Sequence, residues 1–258
     1  MDNSQPRSWR SVEELVEIGF QRSRVVMMNE AHAGDLRCVR TRVIGRRILP
    51  AAHKMGARYL AMEALWPEIV GEANRTHQLG EAPVESYLAQ PEMRSFIQTA
   101  LDLGWTLVPY EADFSLEPPG LPRWSQINWR EEMQARNLIA FLHSMPGNTK
   151  MLVWCGNSHH AKMIIPKQAD DPQDGEWVSM GYQFKALSGI DPFVIDQIRT
   201  VHFPALTGRR MEEWLNEVAP QLTSFGRTAG FLAEEAPACF HVSSAEDAYV
   251  VSLDNEME

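Results

Sequence analysis

Four apolar runs along the chain each break off at an acid or a histidine: 25–32 (VVMMNEAH), 59–63 (YLAME), 106–113 (TLVPYEAD) and 151–160 (MLVWCGNSHH). Continuous apolar runs of this length are the mark of strands buried on both faces, as in a parallel sheet. Between the runs the apolar period changes to that of a helix. Leu36, Val39, Val43, Ile44, Ile48 and Leu49 line one stripe that Gly56 closes, and Met133, Leu138, Ile139, Phe141 and Leu142 line another in 130–144, closed by Pro146-Gly147-Asn148. Ser11 followed by Glu14 reads as a capping box that opens a short helix before the first strand. Further strands are expected at 193–198 and 249–253. The alternation predicts an α/β protein with an open, mostly parallel sheet flanked by helices. In such a sheet the run ends bring Glu30, His32, Glu63, Glu111 and His159 to one rim, where open α/β sheets bind ligands.

The second crossover, 64–103, is longer than a single helix requires, and Trp66-Pro67 and the 71–83 stretch divide it into two or three helices. The excess is expected to form a helical cap over the strand carboxyl ends. A loop at 113–128, with Pro118, Pro119, Gly120 and Pro122 and with Trp124 near its end, follows the third strand, the position where long loops are often functional. No internal repeat and no linker-like shift in composition divides the 258 residues, so the expectation is one domain over 1–258.

Composition narrows the classes of partner. The formal charge of -10 and the lack of a Lys/Arg run argue against nucleic acid, because phosphate contacts need clustered cations. The arginines from Arg37 to Arg47 alternate with apolar residues and read as the solvated face of an amphipathic helix. The three cysteines, Cys38, Cys155 and Cys239, are odd in number and far apart, which suits a reducing compartment better than a disulfide framework. No stretch is apolar enough to span a membrane, and the N-terminus lacks an apolar signal region, so a cytoplasmic location is expected.

The run ends carry the chemistry. Asn29-Glu30-Ala31-His32 places a carboxylate and an imidazole in one strand-to-helix turn, a common acid/base pairing, although capping of the next helix is the plainer role. Glu63 follows four apolar residues at the edge of a dry core, where burial and charged neighbours act on its proton, and a structural ion pair is its plainer role. The same two readings hold for Glu111 and Asp113. Gly156-Asn157-Ser158-His159-His160 turns sharply after a buried strand, with His159 on the rim and His160 alternating to a packing position. Two histidines with one or two carboxylates hold a divalent metal, or act without one, with a His as base and an Arg stabilising the oxyanion. The pattern leaves both chemistries open.

With those residues in view, the chain resembles the erythromycin esterase/ChaN-like superfamily, which includes the TIKI/TraB-type proteases. That superfamily carries a paired G-x-x-H pattern with a Glu after the second strand. Asn29-Glu30-Ala31-His32 corresponds to the first copy with Asn in place of Gly, Gly156-Asn157-Ser158-His159 to the second, and Glu63 to the intervening Glu. The stretch 129–137 (WREEMQARN) is similar to an esterase helix in which an Arg-acid pair precedes Met and Asn, and 153–159 (VWCGNSH) to a strand ending W-A-H-N-A-H. In that correspondence the first His of the esterase strand falls on Gly156. Ser179-Met180-Gly181, with Leu187 and Gly189, is similar to the segment before the next strand, and the likeness runs over 23–198.

The resemblance implies a hydrolase of an ester or amide bond in a small-molecule or peptide substrate. His32 and His159 would serve as bases, or with Glu63 as ligands of a divalent metal ion. Glu30 and Glu63 would orient or activate water, Arg130 would bind the oxyanion or an anionic group, and Glu111 is a lesser candidate. The alternatives are a haem or other small-ligand binder of the ChaN type, with a rim His or Tyr110 as contact, and a secreted effector of the same fold.

Overall fold

The computed structural model describes residues 4–30, 36–63, 65–81, 86–156, 158–165, 175–197 and 208–253. His32, Ala31 and Asn157 therefore lie outside the described residues. Helix α1 (Val12–Arg22) opens on the capping box, with Ser11 and Glu14 exchanging both hydrogen bonds. It leads into β1 (Val25–Glu30), every residue of which is buried. Then follow α2 (Leu36–Lys54), β2 (Ala57–Met62), α3 (Pro67–Thr76), α4 (Pro91–Asp102), β3 (Thr106–Pro109), α5 (Arg123–Ser144) and β4 (Lys150–Gly156). The remaining elements are β5 (Ile164–Ile165), β6 (Trp177–Val178), α6 (Met180–Ser188), β7 (Phe193–Gln197), α7 (Met211–Ser224), β8 (Thr228–Leu232) and β9 (Ala248–Ser252).

Seven strands form one sheet in the order β3-β2-β4-β1-β7-β9-β8, and only the β8–β9 pair is antiparallel. The protein is thus the α/β type expected. β4 inserts between β2 and β1, and its register sets Gly156 opposite Glu30 and Trp154 opposite Met62. The carboxyl ends of β1, β2 and β4 are therefore level. That arises because each strand is a continuous apolar run of similar length that ends where polar residues begin.

Period-two alternation gives the sheet two distinct faces. Val26, Met28, Leu60, Met62, Leu152 and Trp154 pack with residues of α1, α2 and α4. Val25, Met27, Ala61, Val153 and Cys155 pack with Ala135, Leu138 and Leu142 of α5 and Met180 and Phe184 of α6. A third cluster, with Trp214 of α7, Phe231, Phe240 and Tyr249, lies around β8 and β9.

Three expectations need correction. The segment 113–128 is not a long loop: α5 begins at Arg123, because Pro122 stands just before the helix and the restrictive Pro118 and Pro119 precede it. Its buried stripe is Glu131, Gln134, Ala135, Leu138 and Leu142, whereas Met133, Ile139 and Phe141 are only half-buried. The arginines of α2 are not simply a solvated face. Arg42 is fully buried, Arg40 donates to Thr228 Oγ1 and Arg47 grips Glu13, because α2 is wedged between α1 and α4. Among the described residues, no helix is long and apolar enough to cross a membrane.

Candidate active site at the strand carboxyl ends

Helix α5 runs past the ends of β2, β3 and β4 and delivers two adjacent residues to the rim. Arg130 donates Nε to Glu111 Oε1 at 3.0 Å and Nη2 to Glu111 Oε2 at 2.5 Å, and Nη2 also stands 3.7 Å from Glu63 Oε2. A planar guanidinium between two carboxylates is the bidentate arrangement that Lys cannot reproduce. Gln134, one turn on, donates to Glu111 Oε1 at 2.9 Å, and Asn137 donates to the carbonyls of Tyr110 and Glu111. Hydrogen bonding to Glu111 and the charges of Glu111 and Glu63 hold the proton on Arg130 against its burial.

Glu131, the next residue, turns into the protein and is fully buried. Its Oε1 lies 2.6 Å from His159 Nδ1 and accepts from Trp177 Nε1 at 2.9 Å, while Oε2 accepts from the backbone N–H of Met180 at 2.6 Å. That N–H opens α6, so the carboxylate sits at a helix N-terminus where the dipole favours negative charge. Burial works against a charged His159, but the charge and close contact of Glu131, with Glu63 behind it, outweigh burial and raise the imidazole above its ordinary value. The ring stands edge-on to Trp177 at 5.5 Å. Its neighbour Ser158 holds φ 64°, a left-handed conformation that a non-glycine residue adopts at a cost. The turn is locked from α6: Gly181 donates to His159 O, and Ser179 Oγ donates to Ala161 O and Met163 O.

Glu30 lies on the α2 side of the same rim. Its Oε2 accepts from Trp154 Nε1 at 2.8 Å and from Arg42 Nε at 3.1 Å. Burial nevertheless dominates and pushes this carboxyl up to about 7, with the charge of Glu63 adding to it. A cavity of about 460 Å³ opens beside it between α2 and α4, walled by Arg40, Arg42, Arg46, Pro91 and Ser95. It lies across the sheet from Arg130, and Arg42 is its link to Glu30.

The structure thus brings Glu63, Glu111, Arg130 and His159 into one electrostatic array on the α5 side, with Glu30 at its edge, while His32 falls outside the described residues. Glu131 is the member that the apolar pattern hid. Tyr110 is fully buried and donates to Trp154 O, and burial pushes both its hydroxyl and the Cys155 thiol well up. Neither is placed for ligand contact or thiol chemistry.

The fold is an open, mostly parallel α/β sheet that carries this polar rim at its strand carboxyl ends. Overall it is similar to the fold of an erythromycin esterase mutant, EreC in its open conformation, with a TM-score of 0.58, 11% identity, and 97% of this chain and 99% of that one covered. Looser similarity extends to the type III effector HopBA1, at TM-score 0.46 and 14% identity over 78% of this chain and 88% of that one. It extends also to RRSP, a MARTX toxin effector domain from Vibrio vulnificus, at TM-score 0.45 and 15% identity over 73% of this chain. The match spans only 36% of the RRSP chain. No family profile and no curated protein matches the sequence.

Proposed function

We propose that the protein is a hydrolase of an ester or amide bond that works without a metal ion, with His159, Glu63 and Arg130 at the reacting centre. The observation that carries this reading is the Glu131–His159 pair, 2.6 Å apart and buried beside the Glu63–Arg130–Glu111 array. A carboxylate that fixes Nδ1 orients the imidazole and leaves Nε2 as the atom that exchanges protons, the logic of a catalytic dyad. Because Glu131 favours the protonated ring, His159 acts as general acid toward the leaving oxygen or nitrogen. Glu63 takes the proton of the attacking water, and Arg130 balances the charge that develops on the carbonyl oxygen. Glu30 completes the polar rim, and His32 keeps the role of a second base that the resemblance implies.

The donor set of His32, Glu63 and His159 suits a divalent cation poorly. Glu63 stands beside a guanidinium and Glu131 favours the protonated imidazole, whereas a metal needs a neutral ring and an unengaged carboxylate. In support of acyl transfer stands the overall likeness to an erythromycin esterase. The test is turnover on ester and amide panels. Glu63→Gln and His32→Ala are expected to lower kcat/KM by at least about 100-fold with thermal midpoints within a few degrees of the parent, and turnover is expected to survive chelation. Unchanged turnover in both variants, or a large loss of stability with activity kept, overturns the assignment.

A further inference from the structure

His160, the neighbour of His159, points to the opposite side of the turn and is buried to within 2% of full exclusion. Neither of its ring nitrogens has a hydrogen-bond partner among the described residues. Its Nε2 lies 3.7 Å from Asp196 Oδ1 on β7, and the ligand atoms of His160, Asp196 and Glu246 all lie within 4.8 Å of one another. A buried imidazole ordinarily satisfies its donor and its acceptor. Here the groups it faces are carboxylates, and among the described residues no Arg or Lys forms an ion pair with either of them. This sets the cluster apart from the array around Arg130, where a guanidinium balances each acid.

We propose that His160, Asp196 and Glu246 form a binding site for a divalent first-row transition cation of the zinc class, separate from the hydrolytic centre. One imidazole and two carboxylates are a donor set for zinc or manganese rather than for magnesium or calcium, which take oxygen ligands. Ligand atoms around a tetrahedral zinc stand about 3.4 Å apart, so the cluster closes onto a cation by rotamer adjustments of about 1 Å. Both carboxylates are already oriented by neighbours. Asn29 Nδ2 donates to Asp196 Oδ1, and Asn29 is itself fixed because its Oδ1 accepts from the Gln197 N–H and its carbonyl from Gln197 Nε2. Ser243 Oγ and Tyr249 OH both donate to Glu246 Oε2. Such outer donors aim carboxylate ligands and hold them in place.

The three residues come from three elements: the turn after β4, the end of β7 and the loop before β9. A cation here fastens the β7–β9 half of the sheet to the turn that presents His159, on the side opposite to the grip of α6. Its role is to brace the sheet against the turn for stability, and it takes no part in turnover.

The experiment measures metal content and thermal midpoint of the purified full chain, after chelation and after addition of zinc, manganese, cobalt or magnesium. Expected are about one zinc per chain and a midpoint rise of about 5 °C at a hundredfold excess over Kd, with no response to magnesium. His160→Gln, Asp196→Asn and Glu246→Gln should each abolish the rise, and Asp191→Asn, at an exposed carboxylate paired with Lys185, should keep it. Glu246 is partly exposed, so its variant keeps the test readable if His160→Gln folds poorly. Cobalt adds a visible band that the same three variants remove. No shift with zinc, or an equal shift in the parent and all three variants, overturns the site. The hydrolase reading fails separately: turnover undiminished in both Glu63→Gln and His32→Ala would sink that reading and leave zinc stoichiometry unaffected.

Discussion

At the scale of single residues, buried carboxylates decide how this rim behaves. Glu131 accepts from Trp177 and Met180 and touches His159, so replacing it removes one charge that three groups use. Glu131→Gln is expected to cost about 3 kcal/mol in stability, because it strips a buried ion pair of its anion. Its distinguishing signature is local: the His159 ring, followed by NMR, should titrate at lower pH than in the parent, since burial then acts without its counterweight. A His159 titration that did not move would reduce Glu131 to packing. Glu30 makes the opposite case. Its carboxyl is raised from about 4.5 to about 7, so between those values the folded chain holds a proton that the unfolded chain has released. The associated stability is fully present below about 4.5 and is lost as pH rises through about 7, with an upper bound of about 3 kcal/mol. Glu30→Gln, which mimics the protonated form, should therefore compare more favourably with the parent at pH 8 than at pH 5. A stability gap between the two that is constant across that range would mean that burial does not govern Glu30.

At the scale of elements, the turn 158–161 is held against α6 with no room to spare. A Cβ built on Gly181 would stand 2.2 Å from His160 O and 2.7 Å from Ala161 O, both backbone atoms that cannot rotate away. Gly181→Ala is expected to displace the turn, lower kcat at least about tenfold through misplacement of His159, and leave the far-UV circular dichroism of the folded chain intact. Full activity in this variant would show that the turn is free to move. The same contact explains what could be read from the residues alone. The four rim strands were legible because doubly buried strands are unbroken apolar runs, and their carboxylates stand where those runs stop. Glu131 was not: it looks like one more acid on a charged helix, and only the long-range meeting of α5, α6 and the 158–161 turn reveals that its face is buried. The burial of Arg42 was hidden in the same way, by the position of α4. Helix α7 did leave a signal, with Met211, Trp214, Val218 and Leu222 at helical spacing and all buried. β8 left a weaker one, because a short strand containing Gly230 has little alternation to read.

At the scale of the whole molecule, the C-terminal hairpin finishes what β7 begins. β9 pairs in parallel with β7 from Ile195 to Gln197, and β8 closes the sheet antiparallel to β9. The hairpin is tied to the other end of the chain as well: Arg10 and Gly230 exchange both backbone hydrogen bonds, and the Arg10 guanidinium pairs with Glu235. Gly230 has no space for a side chain, since a Cβ there would stand 2.3 Å from Tyr249 O and 2.4 Å from Leu15 Cδ1, which brings α1, β8 and β9 together at one point. A chain stopped at Gln197 would expose the edge of β7 along its ladder and would lose Trp214, Phe231, Phe240 and Tyr249 from the third cluster. An unpaired flat edge beside uncovered apolar surface is a template for association. Such a truncated chain is expected to elute as aggregate on size exclusion, to bind an apolar dye and to lose its near-ultraviolet dichroism, although every rim residue from Glu30 to His159 is still present. A soluble monomer with an unchanged near-ultraviolet spectrum and turnover would show instead that the first 197 residues fold without the hairpin, and that it serves only to hold Glu246 against Asp196.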